Sequence, residues 1–370
     1  MPRSFRLIRL FSILAAWVPT QAVFAYPEMI RHGYVNCTAC HVSPSGGGTL
    51  TEYGRSLSGE VFSTWSQPGE SGYLYGLLPT TQTFQGGGDF RFIQTHRETS
   101  TLIKGETIFM QLDAELAVQL GKWTALVSGG IEESESEGND ESLGLISRKH
   151  WVGYRFQDNF FLRAGRFQRN FLFNTAEHET LVKRLAAFYP ASETYNVEAS
   201  YLGEDGEFFL TANLGRPDRN SLDRESGTTI KGALNLSTNS KLGLQYDYSR
   251  NTKMTRHLFG PYLAYSFNEK IILLSEFVFN RGALTGKEPD TGLTTYQRLS
   301  YEVFKGGWLY GIHEWKKQNF STSSSINGLT AGFQFFPRPH FEFNLMYQHL
   351  WMPAPAGQSD FIGLLGHYYL

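Results

Sequence analysis

The chain has 370 residues, a net charge of −2 and only 18% charged residues, against 15% aromatics and 38 glycines. Near-neutrality implies neither a nucleic-acid-binding surface nor a polyanion, and the aromatic, glycine-rich mix favours strands and turns over helices. In chain order the first element is an export signal over residues 1–25. Arg3, Arg6 and Arg9 precede an apolar stretch at 10–18, and Val23-Phe24-Ala25 sets cleavage before Tyr26. That stretch is well short of the ~20 residues a spanning helix needs. No later apolar run reaches that length, so membrane residence of the mature chain would require a barrel.

Residues 26–80 carry the two cysteines of the chain, in the run Cys37-Thr38-Ala39-Cys40-His41. Two thiols three positions apart can add to the two vinyl groups of one haem, and the adjacent imidazole then falls under the iron as proximal ligand. The other readings use the residues less completely. A Cys37–Cys40 disulfide leaves His41 idle, a thioredoxin-like pair wants a βαβ context, and a zinc site wants four ligands. The expected cofactor is therefore one covalent haem c on Cys37, Cys40 and His41. For the sixth position His32 is the nearest strong ligand upstream, with Met29 as the other ligand type nearby; a five-coordinate iron is the remaining option. Val42-Ser43-Pro44-Ser45-Gly46-Gly47-Gly48 is loop chemistry. A haem unit this poor in core residues must pack against the rest of the chain.

From Thr83 onward period-2 alternation dominates. Ile108, Met110, Leu112, Ala114, Leu116, Val118 and Leu120 share one face, while Gln111, Asp113, Glu115 and Gln119 share the other. The pattern recurs at 195–202, 241–249 and 341–348. Segments of this kind bury one face and wet the other, as in a soluble sandwich or in a membrane barrel turned inside out. Link lengths separate the two. Short links at 121–122, 157–159, 203–206, 238–240, 268–269, 305–307 and 337–339 interleave with longer polar ones at 99–104, 134–142, 170–192, 216–227, 282–292, 318–324 and 352–359. Tight turns at one end and long loops at the other mark an outer-membrane barrel. The expected fold is all-β: an up-and-down antiparallel transmembrane β-barrel of about 16 strands over residues 81–370, preceded by the haem-binding segment. Tyr195 and Tyr201, Tyr246 and Tyr248, Phe277 and Phe279, and Phe333 and Phe335 are placed like interfacial girdles, and the chain ends His367-Tyr368-Tyr369-Leu370.

Taken together, the mature chain resembles a bacterial outer-membrane porin with a single c-type cytochrome motif at its N-terminus. Leu162-Arg163-Ala164-Gly165-Arg166-Phe167, followed by a long loop with His178 and Arg184, is similar to the barrel of phosphate-selective porins. These resemblances imply residence in the outer membrane, contact with its lipid, and electron transfer at or across it, with a periplasmic electron carrier or cytochrome as partner. The rival function is a passive solute porin, anion-selective if its lumen is cationic, whose haem segment is a plug, sensor or docking element. Peroxidase-type chemistry is a third, if the iron keeps an open site.

Asp113, Glu115, Glu198, Lys231, Asp247, Glu276 and Glu342 form the expected lumen-facing set. Arg163, Arg166, Arg169, Lys183 and Arg184 gather around the loop at 170–192, which either folds inward and narrows the pore or stays solvated outside. No nucleophile elbow, phosphate-binding glycine loop or His-Glu-x-x-His pattern occurs. His96, His150, His257, His313, His340, His349 and His367 are scattered and read as packing residues. If the link after the first strand faces outward, that strand starts on the periplasmic side. The haem segment is then expected at the periplasmic mouth or in the lumen above it.

Overall fold

The computed structural model describes residues 27–77, 81–135, 141–175, 177, 180–188, 192–217 and 224–370. The expected export signal at 1–25 and His178 lie outside the described residues.

Seventeen strand segments follow the N-terminal region: β1 (Phe84–Thr99), β2 (Ile103–Leu120), β3 (Trp123–Glu135), β4 (Glu141–Ile146), β5 (His150–Gln157), β6 (Phe160–Phe167), β7 (Thr194–Leu202), β8 (Gly206–Gly215), β9 (Ser226–Ser237), β10 (Ser240–Arg250), β11 (Met254–Asn268), β12 (Ile271–Leu284), β13 (Asp290–Phe304), β14 (Gly307–Lys317), β15 (Ile326–Phe335), β16 (Phe341–Trp351) and β17 (Gln358–Tyr369). They form one antiparallel sheet, and β17 returns to β1 with Tyr369 opposite Asp89, which closes the barrel and removes its edges. β5 pairs with the first half of β3 and β4 with the second, so these two segments share one position and the barrel has sixteen. The break between them lies at 147–149. It aims two cations inward: Arg148 meets Asp113 at 3.2 Å and Lys149 meets Glu115 at 2.7 Å.

Alternation sets the two faces. Gln111, Asp113 and Glu115 of β2 are buried, while Leu112, Leu116 and Leu120 are exposed. On β16, Glu342 and Asn344 are buried between the exposed Phe341, Phe343 and Leu345. All seven residues of the expected lumen set are buried. Polar side chains inside and an apolar belt outside exclude the sandwich, whose inner face would be apolar. Trp123 and Tyr154 (4.8 Å), Phe160 and Tyr201 (5.0 Å), Tyr265 and Phe267 (4.9 Å), and Phe341 and Tyr368 (5.0 Å) pair beside the short turns. Tyr248 with His257, Phe259 with Phe279 and His349 with Trp351 pair nearer the other rim.

Two links differ from the sequence reading. The first link is a tight turn at 100–102, not a member of the longer class. A further tight hairpin at 251–253 joins β10 to β11, where the sequence parse runs straight from one short link to the next. Asn251 makes that turn by accepting from the Lys253 and Met254 amides at 2.8 Å each. Without Gly or Pro it leaves no strong punctuation in the sequence. Both turns sit at the end that carries the long loops, so the alternation of ends holds even where length does not mark it.

Candidate functional site

Residues 28–63 lie largely inside the barrel, residues 64–77 run along its short-turn rim, and the segment is bonded to the wall at two levels. At the short-turn rim, Arg31 donates to the Glu269 carbonyl (2.7 Å), pairs with Glu302 and stacks 4.4 Å over Trp308. The Thr64 and Trp65 amides donate to the Phe336 and Pro337 carbonyls, Arg338 pairs with Glu70, and the His340 amide donates to Ser58 Oγ at 3.0 Å. Deeper, the amide and hydroxyl of Thr49 both donate to Glu115 at 2.8 Å, and Arg163 donates to Ser43 Oγ (3.0 Å) and Ser45 Oγ (2.9 Å).

The motif itself forms one turn, with the His41 amide donating to the Cys37 carbonyl at 3.0 Å. Two neighbouring features are shaped around it. Helix α1 (Glu52–Leu57) is capped by Thr51, whose Oγ1 accepts from the Gly54 amide at 3.0 Å. A Cβ on Gly54 would lie 2.2 Å from the Cys40 carbonyl oxygen, so only glycine lets α1 rest on the motif. Gly46, Gly47 and Gly48 all have positive φ, which L side chains resist. A Cβ on Gly46 would meet Cys37 Sγ at 3.1 Å, and one on Gly48 would meet Glu115 Oε2 at 2.4 Å. The glycine run thus threads between the motif and the wall.

Above this turn lies a cavity of about 320 Å3, part of it open to solvent. Cofactor sites run to about 300–1,000 Å3, so the cavity falls at the small end of that range. Met29, Cys37, Cys40 and His41 share its wall with Leu57 and Phe62 of the segment, Phe209 and Tyr262 of the barrel and Phe173 of the long loop. Five lysines and arginines (Arg91, Lys149, Lys183, Lys231, Lys241) face four carboxylates (Asp89, Glu193, Glu207, Glu342) in that lining. Arg91, Lys149 and Lys241 pair with Asp89, Glu115 and Glu207, which leaves Lys183 and Lys231 to meet a flat apolar ligand that carries carboxylate arms. His41 Nδ1 is buried with no hydrogen-bond partner, and burial pushes the ring's pKa down to about 4 against the backbone of Gly48, leaving the neutral imidazole that ligation requires. Cys37 and Cys40 are not bridged, and burial pushes the Cys37 thiol up to about 12, the opposite of an activated dithiol. The residues present therefore fit a haem held by Cys37, Cys40 and His41.

The long loop folds inward. Helix α2 (Leu181–Ala186) and the residues before it fill the lumen: the amides of Leu172, Phe173 and Leu181 donate to Gln245, Glu276 and Glu314 of the wall. Its positive charge is largely neutralised instead of lining an open pore. Arg163 pairs with Glu198 at 2.7 Å and Arg169 with Asp247 at 3.0 Å. Lys183 donates to the Thr175 carbonyl, and burial lowers its pKa to about 8. Arg298 ties loop and segment to one point, 2.7 Å from Glu177 and 3.1 Å from Glu28.

Of the sequence-selected residues, Cys37, Cys40, His41 and Met29 come together at the cavity. His32 does not line it; its ring lies 6.3 Å from Tyr34, edge-on. Asp89, Glu342 and His367 also face the cavity, and of these His367 had read as a packing residue because no spacing links it to its partners.

No protein-family model and no curated protein matches the chain. Solved structures do match. OmpT of Vibrio cholerae is similar at a TM-score of 0.60 and 9% identity over 79% of this chain and 100% of that one. The outer membrane channel DcaP of Acinetobacter baumannii gives 0.53 and 12% over 79% and 99%, and an anion-selective porin from Comamonas acidovorans 0.56 and 10% over 78% and 99%. The shared feature is the fold, a porin-type outer-membrane barrel.

Proposed function

We propose that this chain is an outer-membrane barrel carrying one covalent haem c in its lumen, and that it exchanges electrons there with a periplasmic electron carrier or cytochrome. The observation that carries the reading is the convergence of Cys37, Cys40 and His41 on one lumen cavity that two further lysines, Lys183 and Lys231, also line. A bound haem supplies one-electron exchange. The chain's own residues orient it and keep water from it: the glycine run fixes the motif, Arg163 and Glu115 hold the loop behind it, and α2 covers the far side. Short turns face the periplasm in barrels of this architecture, which puts the segment at the periplasmic mouth. One haem does not span an apolar band about 25 Å tall, so onward passage needs a redox group from a partner. The second reading, a passive channel, draws on the fold shared with an anion-selective porin; the segment is then a plug. Protein matured with haem-attachment machinery should gain the mass of one haem and stay nearly silent in planar bilayers. An unmodified mass with a Cys37–Cys40 disulfide overturns the haem reading, and a steady conductance favours the channel.

Met29 is the residue placed to complete the coordination. It is 1% exposed, packs with Cys40 and Leu57, and lines the cavity that His32 does not. A thioether there would also raise the potential. Met29→Ala should convert a low-spin haem to a high-spin, carbon monoxide-binding one, while His32→Ala leaves the optical spectrum unchanged. The reverse result assigns the position to His32.

A further inference from the structure

We infer that Asp89, His367 and Glu342 form a proton-binding site coupled to the electron held in the lumen cavity, an inference that rests on the haem reading above. The three residues come from β1, β17 and β16, neighbours at the seam where the barrel closes. His367 Nε2 is 3.0 Å from Asp89 Oδ1, and His367 Nδ1 is 2.8 Å from Glu342 Oε2. A neutral imidazole has one N–H, so its other nitrogen would turn a lone pair on a carboxylate oxygen. Two short contacts to two carboxylates require one proton more than a neutral imidazole with two carboxylates contains. The ring holds it as imidazolium, or a carboxyl oxygen holds it and donates.

Asp113 of β2 lies within electrostatic range of Asp89, and Glu28 of the segment and Tyr310 of β14 within range of Glu342. On β1, Arg91 Nη2 lies 3.3 Å from Asp89; on β15, Gln334 donates to Glu342 at 2.6 Å; on β17, the Tyr369 ring is 5.2 Å from His367. Lys149, in the break between β4 and β5, and His41 of the segment are within electrostatic range of Asp89. With the extra proton, Arg91, Asp89, His367 and Glu342 sum to zero charge; without it they sum to −1. All four face the cavity that holds Cys37, Cys40 and His41.

Reduction of a haem there places one more electron in the same low-dielectric space, and the triad's affinity for its proton rises. The step balances as one electron from a one-electron donor to the haem and one proton from water to a ring nitrogen or carboxyl oxygen of the triad. No other bond forms or breaks. A triad that only rivets three strands would hold the same geometry and leave the potential indifferent to pH.

The test is an equilibrium redox titration of the full-length, haem-loaded protein across a range of pH, with haem content checked by mass. The potential should fall as pH rises through the window between the triad's oxidised-state and reduced-state protonations, and level off on either side. His367→Gln should lose that slope. If His367→Gln does not fold, Glu342→Gln decides: it keeps the imidazole, removes one carboxylate charge and should displace the window. A flat wild-type potential, or variants that keep the wild-type profile, overturns the inference and leaves the haem reading intact. Absence of haem by mass overturns the haem reading, and the inference falls with it.

Discussion

Removing residues 27–77 should turn a nearly silent barrel into a conducting one. The wall does not depend on them for closure, since β1 pairs with β17 from Asp89 to Thr99 and with β2 along its whole length. What the segment supplies is filling. Ile30 and Val35 pack into the same cluster as Tyr262, Trp308 and Phe336 of the wall, so their removal takes apolar filling out of the lumen. Without them, Glu115 loses Thr49 and keeps Lys149, Lys241 loses the Val35 carbonyl and keeps Glu207, and Glu302 loses Arg31. The inward loop stays, held by Arg169–Asp247 and Arg298–Glu177, so the channel that opens is narrow. Its residual cations should favour anions. Planar-bilayer recordings under a salt gradient measure both properties. A truncated barrel that folds and remains as silent as the full chain would show that the loop alone seals the lumen.

How much of this was legible in the sequence follows from which residues act locally. The motif is read from five consecutive residues because thioether attachment and proximal ligation need that spacing and nothing from elsewhere. Strand faces are read because Asp113 and Leu112 must point opposite ways whatever they touch. Pairings across the lumen are not legible. Arg163 sits in a stretch that reads as a porin's pore-lining charge, yet its guanidinium faces Ser43 and Ser45, some 120 positions away. His367 meets Asp89 only because the last strand closes on the first. His32 is nearer the motif along the chain than Met29, but in a short helical turn distance along the chain does not say what a side chain faces. The turn over Pro27–His32 leaves Met29 1% exposed at the cavity and turns His32 away from it.

Arg163→Met should cost the wall about 3–5 kcal/mol, because breaking a buried ion pair strands its partner, and should loosen the N-terminal segment, which loses two hydrogen bonds from a charged donor at about 1.5–3 kcal/mol each, while the barrel survives. Arg163 is 1% exposed; its Nε and Nη2 lie 2.8 and 2.7 Å from Glu198 Oε1, and its guanidinium carbon is 3.8 Å from the Phe167 ring centre. Methionine fills similar volume but leaves Glu198, fully buried, with the Thr211 hydroxyl donating to its other oxygen at 2.8 Å. Ser43 and Ser45 lose their donors at the same time. Lysine is no substitute, since a single ammonium cannot replace the planar fork that reaches a carboxylate and two hydroxyls together. The double change Arg163→Met with Glu198→Gln removes the stranded charge and should recover part of the loss. What it does not recover belongs to the loop, so the double-mutant cycle separates ion pair from anchor. Limited proteolysis across residues 43–48 reads the attachment, and the mobility of the folded barrel on cold detergent gels reads the wall. Rapid nicking with unchanged barrel mobility is the expected pair of results. A segment as resistant as the wild type would mean that Thr49–Glu115 and the short-turn contacts suffice. The Gly46–Gly48 run, whose first member lies against Cys37 Sγ, would then be held by its own backbone conformation.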